Sequence, residues 1–150
     1  MKASAVVLCN NILYRAENEK IPITSMKLQK ILYYTCRDYV KATGQSPISE
    51  AFEVWQYGPV IPSLYWIFKS FGAKPIKDYA RDAGGEARKV SETANPVLAK
   101  TLDVAWAKYK NVSAVELSRM THMENSAWLK AFLAGRQNID TEDMRFDPTG

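Results

Sequence analysis

The sequence predicts a mainly α-helical fold, a compact bundle of about five to six helices with a small β-hairpin or two-stranded sheet inserted. Apolar residues recur at steps of three and four along several segments, as on one face of a helix. Capping residues flank those segments, and a single stretch alternates as a strand does. The 150 residues suit one domain spanning residues 1–150.

Two helices are predicted at the start of the chain. The first covers Ser4–Glu19, where apolar and polar residues divide between two faces. A break around a proline follows, and Thr24 or Ser25 can cap a second helix. That helix runs to Thr43, and Gly44 ends it in a left-handed conformation.

One side of the second helix is basic, and three interpretations of it stay open. Its members are Lys27, Lys30, Tyr34, Arg37 and Lys41. They could contact phosphates with the tyrosine stacked on bases, form a solvated face, or dock an acidic partner protein. The formal net charge of +4 is mild for a dedicated nucleic-acid binder.

The middle of the chain carries the β element. Phe52–Tyr57 alternates, is rich in aromatic residues and ends at the turn signal Gly58-Pro59. A lone strand leaves its backbone groups unpaired, so we expect Ala73–Tyr79 to be its partner. Between the two segments, a short helix is predicted from Pro62 to Gly72.

The second half returns to helices after a polar segment. Arg81–Thr93 contains Gly84-Gly85 and is predicted to be a mobile surface loop. Helix signals follow at Asn95-Pro96, at the capping box Ser113–Glu116 (helix to about Met123), at Ala127–Ala134, and as a last turn at Thr141–Asp143.

The residue types give little support for catalysis, a metal or a cofactor, so we expect none of the three. With two cysteines and one histidine there is no zinc spacing. Cys9 and Cys36 are expected to be buried thiols. His122 could act as a general base or could hold a turn between helices, and the second role is favoured. No secretory signal or bilayer-spanning run is found, so a cytoplasmic location is expected.

Aromatic residues crowd into the region between the strand and the polar loop. They are Trp55, Tyr57, Tyr65, Trp66, Phe68, Phe71 and Tyr79. Adjacent positions on a helix project about 100° apart, so Tyr65 and Trp66 cannot both face the core. The cluster either fills a small core or supplies exposed anchors for a protein partner.

Three segments in order resemble one known family. They are IPITSMKLQKILYY (Ile21–Tyr34), FEVWQYGPVIPSLY (Phe52–Tyr65) and SAVELSRMTHMENSAW (Ser113–Trp128). Together they resemble the Panacea domain, also called the SocA-like antitoxin domain, of bacteria and their phages. One departure is Ala127, where the family often has proline.

The resemblance implies an antitoxin that neutralises a cognate toxin by direct binding and is not an enzyme. A nucleic-acid-binding regulator is the alternative, and an enzyme using His122 comes third. Self-association stays open, and no membrane partner is expected. We predict toxin contacts at Lys27, Lys30, Tyr34, Arg37, Trp55, Tyr57, Tyr65 and Trp66. The family positions expected to hold the scaffold are Leu28, Gln29, Gly58, Pro59, Thr121, His122, Glu124 and Trp128.

Overall fold

A computed structural model describes residues 2–150, and over that range the chain forms seven α-helices and one two-stranded antiparallel sheet. The mainly helical class with a small hairpin is confirmed. The elements are α1 (Ala5–Glu19), α2 (Ser25–Thr43), β1 (Glu53–Trp55), β2 (Gly58–Val60), α3 (Pro62–Phe68) with a 3-10 turn (Lys69–Phe71), α4 (Pro96–Tyr109), α5 (Ala114–Thr121), α6 (Ala127–Leu133) and α7 (Thr141–Arg145).

The helix ends follow the capping residues closely. The side chains of Ser4, Thr24, Asn95 and Ser113 each accept a hydrogen bond from a first-turn amide. Only half of the predicted capping box forms, because the Glu116 carboxylate pairs with Arg119 one turn later. Asp140, and not Thr141, caps α7.

The predicted strand at Phe52–Tyr57 is present, but the prediction of Ala73–Tyr79 as its partner was wrong. β1 pairs with β2, the segment directly after it, with Trp55 opposite Gly58. The other edge of β1 is covered by the chain before α7, where Val54 N–H donates to the Gln137 carbonyl at 2.8 Å. The Ala73–Tyr79 segment forms no strand. A two-residue turn closes a much shorter loop than a return from residue 73 would, so local pairing costs less entropy.

Helix α2 is the centre of the fold, and its middle part is buried on all sides. It packs against α1, α3, α4, α5, α7 and β2. Every residue from Leu28 to Arg37 is buried, including the polar ones. The buried thiols Cys9 and Cys36 are as predicted, and burial raises both thiol pKa values.

Part of the polar face of α1 is also covered. Asn10 and Asn11 are buried and bond the main chain of the polar segment that follows the 3-10 turn. The side-chain amide of Asn10 accepts from the N–H of Ala80 and donates to its carbonyl, and Asn11 makes the same two hydrogen bonds with Val90, all at 2.8–2.9 Å. The Arg81–Thr93 segment is a loop, as predicted, but these contacts fix it at both ends.

The C-terminal residues fill the face of α2 where a basic surface was predicted. Arg37 donates to the carbonyls of Asp147, at 3.0 Å, and Thr149. Tyr33 donates to the Asp147 carboxylate at 2.6 Å, and the hydroxyl of Tyr34 bonds that of Thr149. Tyr34 and Arg37 are therefore internal, and the prediction that they face outward is wrong.

Within the described residues, no helix combines the length and the apolar character needed to cross a membrane.

Replacing Arg37 with methionine tests the role of this buried cation. Asp147 is 1% exposed, and Arg37→Met would leave its carboxylate without a positive neighbour. We expect the free energy of unfolding to fall by about 3 kcal/mol, measured by chemical denaturation. Adding Asp147→Asn should restore part of that loss. The control Arg81→Met removes an exposed arginine and should change stability little. Equal losses for both arginines would contradict the assignment.

Candidate partner-binding site

The turn between β1 and β2 is held in place by side chains from α5 and α6. Trp128 Nε1 donates to the carbonyl of Trp55 at 2.8 Å. Ser118 Oγ donates to the carbonyl of Tyr57 at 2.6 Å. The carbonyl of Gln56, between them, lies 2.9 Å from His122 Nε2. Three successive carbonyls are thus bound by three side chains.

Helix α2 holds the other side of the turn. Lys30 Nζ donates to the carbonyl of Pro59 at 3.1 Å. Gln29 bonds both main-chain groups of Ile61, accepting from its N–H at 2.9 Å and donating to its carbonyl at 3.0 Å. The three segments that carry the resemblance therefore meet at the hairpin, and their polar side chains fix its main chain.

Gly58 is required where the hairpin crosses α2 and α5. Its φ is +116°, a conformation that side chains rarely adopt. A Cβ at this position would lie 2.5 Å from Thr121 Oγ1 and 2.8 Å from Lys30 Cε. The space of the missing side chain is already occupied.

His122 uses both ring nitrogens to hold main chain. Nδ1 lies 2.6 Å from the carbonyl of Ser118, and Nε2 faces Gln56. Carbonyls only accept, so a ring nitrogen bonds the carbonyl that faces it as a donor. Its ring also packs against Trp128, with centroids 4.0 Å apart. In this arrangement neither nitrogen is available as a base toward a substrate.

Lys30 is a buried amine beneath the hairpin. The residue is 1% exposed. Desolvation lowers its pKa from 10.5 to about 7, since a low-dielectric interior disfavours the ammonium form. Its hydrogen bond to Pro59 survives deprotonation because a neutral amine still donates.

The outer side of the hairpin and α3 displays aromatic side chains. Tyr57 is 57% exposed and Trp66 is 63% exposed. Trp55 and Tyr65 are partly buried, with ring centroids 5.0 Å apart, and Tyr65 packs edge-on to Trp66 at 5.3 Å. Phe68, by contrast, lies in the core. Both roles considered for the aromatic cluster therefore occur, since Phe68 fills the core and Tyr57 and Trp66 reach solvent.

A groove of about 630 Å³ opens beside these aromatic residues. It runs between the first turns of α2 and α5, the hairpin, and α3 with its 3-10 turn. Apolar residues such as Met26, Val60 and Val115 line it together with Trp55 and Tyr65.

Three of the four basic residues of α2 bond carbonyls of other segments, whereas Lys41 is exposed near the end of the helix. Lys30 lies under the hairpin, and Lys27 Nζ donates to the carbonyl of Lys110 at the end of α4. The prediction of a continuous exposed basic stripe was therefore wrong, because carbonyls of distant segments bind Lys27, Lys30 and Arg37, and only Lys41 lies at the surface as predicted. Tyr34 and Arg37 bind the C-terminal residues, as described above.

Of the predicted scaffold residues, Leu28 is buried in the core and Glu124 is exposed. Thr121 donates to the carbonyl of Ser118 at 2.6 Å. Sequence reasoning missed Ser118 itself. Its position one helical turn before His122, on the same face of α5, was the available signal.

Residues 2–150 do not bring three His, Cys, Asp or Glu side chains together as a metal site would require.

Comparison with known proteins identifies the class to which this fold and hairpin belong. The family model "Antitoxin SocA-like, Panacea domain" matches residues 28–129, more than half of the chain. The match runs from Leu28 in α2 to Leu129 in the first turn of α6 and includes the hairpin and the side chains that hold it. The chain therefore belongs to this family of SocA-like antitoxins.

A curated relative agrees with the family match. The chain is 35% identical over 72 residues to "Antitoxin SocA" of Caulobacter vibrioides (strain NA1000 / CB15N). The aligned region is 48% of this chain and 38% of that relative, so it spans well under half of the relative's length. No solved structure matches the chain significantly.

Substituting Gly58 tests the close packing of the hairpin. Gly58→Ala combines a strained φ with a steric conflict, and we expect it to lower the free energy of unfolding by about 3 kcal/mol. The matched control is Gly85→Ala, since Gly85 has φ +80° and nothing within 4 Å of its Cβ position. That control carries strain alone and should cost about 1 kcal/mol. Equal costs in denaturant melts would rule out the conflict with Thr121 and Lys30.

The lowered pKa of Lys30 predicts a specific pH dependence. Between pH 7 and 9 the unfolded chain keeps the Lys30 proton and the folded chain loses it, so this group adds stability as pH rises. Relative to Lys30→Met, the wild-type free energy of unfolding should rise by about 1 kcal/mol per pH unit over that range. Taking the difference cancels cysteine and tyrosine titrations common to both proteins. A flat difference would show that Lys30 keeps its ordinary pKa.

Proposed function

We propose that this protein neutralises a cognate toxin by direct binding, and that the toxin contacts the outer side of the hairpin and α3. An antitoxin family implies a toxin as the kind of partner. The surface we assign contains Trp55, Tyr57, Tyr65 and Trp66. Of the contacts predicted from the sequence, it keeps these four aromatic residues and leaves out Lys27, Lys30, Tyr34 and Arg37, whose side chains bond other parts of the chain.

The observation that supports the proposal most is that exposed aromatics stand on a main chain that is already fixed. Tyr57 and Trp66 are more than half exposed. Exposure of such large aromatic rings to water is unfavourable, and their burial against a partner would stabilise the complex, since aromatic anchors dominate many protein interfaces. The carbonyls beneath Tyr57 are bound by Trp128, His122 and Ser118. Binding therefore requires little ordering of the hairpin, which favours affinity.

The other functions considered from the sequence gain no support. Lys27, Lys30 and Arg37 hold internal carbonyls and so form no phosphate-binding stripe. His122 is occupied on both nitrogens.

Co-expression tests the proposed function. We expect the protein encoded beside this gene to arrest growth when expressed alone, and to be harmless and co-purify with this protein when both are present. A Tyr57→Ala/Trp66→Ala variant should lose neutralisation, because removing two anchors typically weakens binding at least thirtyfold. The control is Val104→Ala, an exposed apolar residue on α4. Continued arrest in the presence of soluble wild-type protein would refute the proposal.

A further inference from the structure

The groove beside the hairpin has the size and lining of a binding site, and the proposed function does not yet say what enters it. Its volume of about 630 Å³ lies in the range of roughly 300–1,000 Å³ found for ligand pockets. Apolar and aromatic side chains form most of its wall. Water bound there would find few partners, so an apolar group gains free energy by replacing it.

The charge of the groove has one sign. Lys69 is the cation among the residues that line it, since desolvation lowers the pKa of the buried Lys30 to about 7, and no aspartate or glutamate lines it. Lys69 is exposed at the rim, with its ammonium 4.6 Å from the centre of the Trp66 ring. A carboxylate on the occupant would meet a cation here and no like charge.

The hairpin leaves no free edge for an added strand. Residues 137–139 bond β1 along its outer side. On β2, Pro59 has no N–H and its carbonyl is bound by Lys30, and Gln29 bonds Ile61. An occupant must therefore insert side chains into the groove, since its main chain cannot extend the sheet.

The exposed aromatics favour a protein segment over a small ligand. Tyr57 lines the groove and Trp66 does not, so a small molecule inside it would leave Trp66 largely in water. A segment of a larger protein would fill the groove and cover both rings at its rim.

From these observations we propose that the groove binds a segment of the toxin in which apolar side chains lie next to an aspartate or glutamate. The apolar side chains enter between the hairpin and the first turns of α2 and α5. The carboxylate pairs with Lys69 at the rim. This inference rests on the proposed function and adds to it the place and the chemistry of the contact.

Two pairs of variants test the inference by toxin binding, measured by surface plasmon resonance with the purified toxin. Ala73 lines the groove and is exposed, so Ala73→Trp should fill it and weaken binding at least tenfold. Ala87→Trp makes the same change at an exposed residue of the Arg81–Thr93 loop that does not line the groove, and it should bind as wild type does. Melting temperatures of both variants verify that they are folded.

Charge reversal tests the acidic part. Lys69→Glu should slow association about tenfold at low salt, and the effect should shrink as salt screens the charges. Lys100→Glu, on the exposed side of α4, is the matched control. If Lys69→Glu has no more effect than this control, the carboxylate is absent from the contact and that part of the inference is wrong.

The outcomes separate the inference from the function on which it rests. If wild-type protein does not bind the toxin, the proposed function fails and the inference fails with it. If wild type binds and Ala73→Trp binds equally well, the toxin uses another surface, so the inference is overturned and the function stands. A wild-type dimer that Ala73→Trp dissociates would assign the groove to a second copy of this chain and would also overturn it.

Discussion

The fold depends on one constraint, which is that a helix carrying lysine, arginine, glutamine and tyrosine side chains lies at the centre of the molecule. A buried polar group without a partner costs free energy comparable to a lost hydrogen bond, and a buried charge costs more. Apart from Thr35, which bonds the carbonyl of Ile31 within the helix, the polar side chains buried in α2 meet that demand with partners from distant parts of the chain. Gln29 and Lys30 bind the hairpin, and Arg37 binds the C-terminal residues. Satisfying α2 therefore positions both the hairpin and the end of the chain.

Local chemistry explains why most of the fold was predictable. Helix ends depend on capping side chains within a few residues, and Thr24, Asn95 and Ser113 act where the sequence placed them. The partner of the strand was harder, since alternation identifies a strand but does not say which segment pairs with it. The burial of α2 was not predictable from periodicity. Its basic side looks like a solvated face until the carbonyls that cover it are known, and those come from residues 29 to 112 positions away.

The candidate site was predictable only in part, for the same reason. The aromatic cluster was visible in the sequence, and the structure separates its buried members from the exposed Tyr57 and Trp66. The resemblance located the motif residues without saying what they touch. That His122, Ser118 and Trp128 bind three neighbouring carbonyls depends on how α5 and α6 approach the hairpin, which involves contacts 61 to 73 residues apart in sequence.

The contacts under the hairpin have a consequence for sequence variation. The side chains of Trp128, His122 and Ser118 bind main-chain carbonyl oxygens, and every amino acid has a main-chain carbonyl. The identity of the residues at Gln56 and Tyr57 is thus uncoupled from the geometry of the turn, whereas Gly58 is not free to change. Residues 56 and 57 can therefore be substituted without loss of the hydrogen bonds that hold the turn, so the partner recognised can change while the fold is kept.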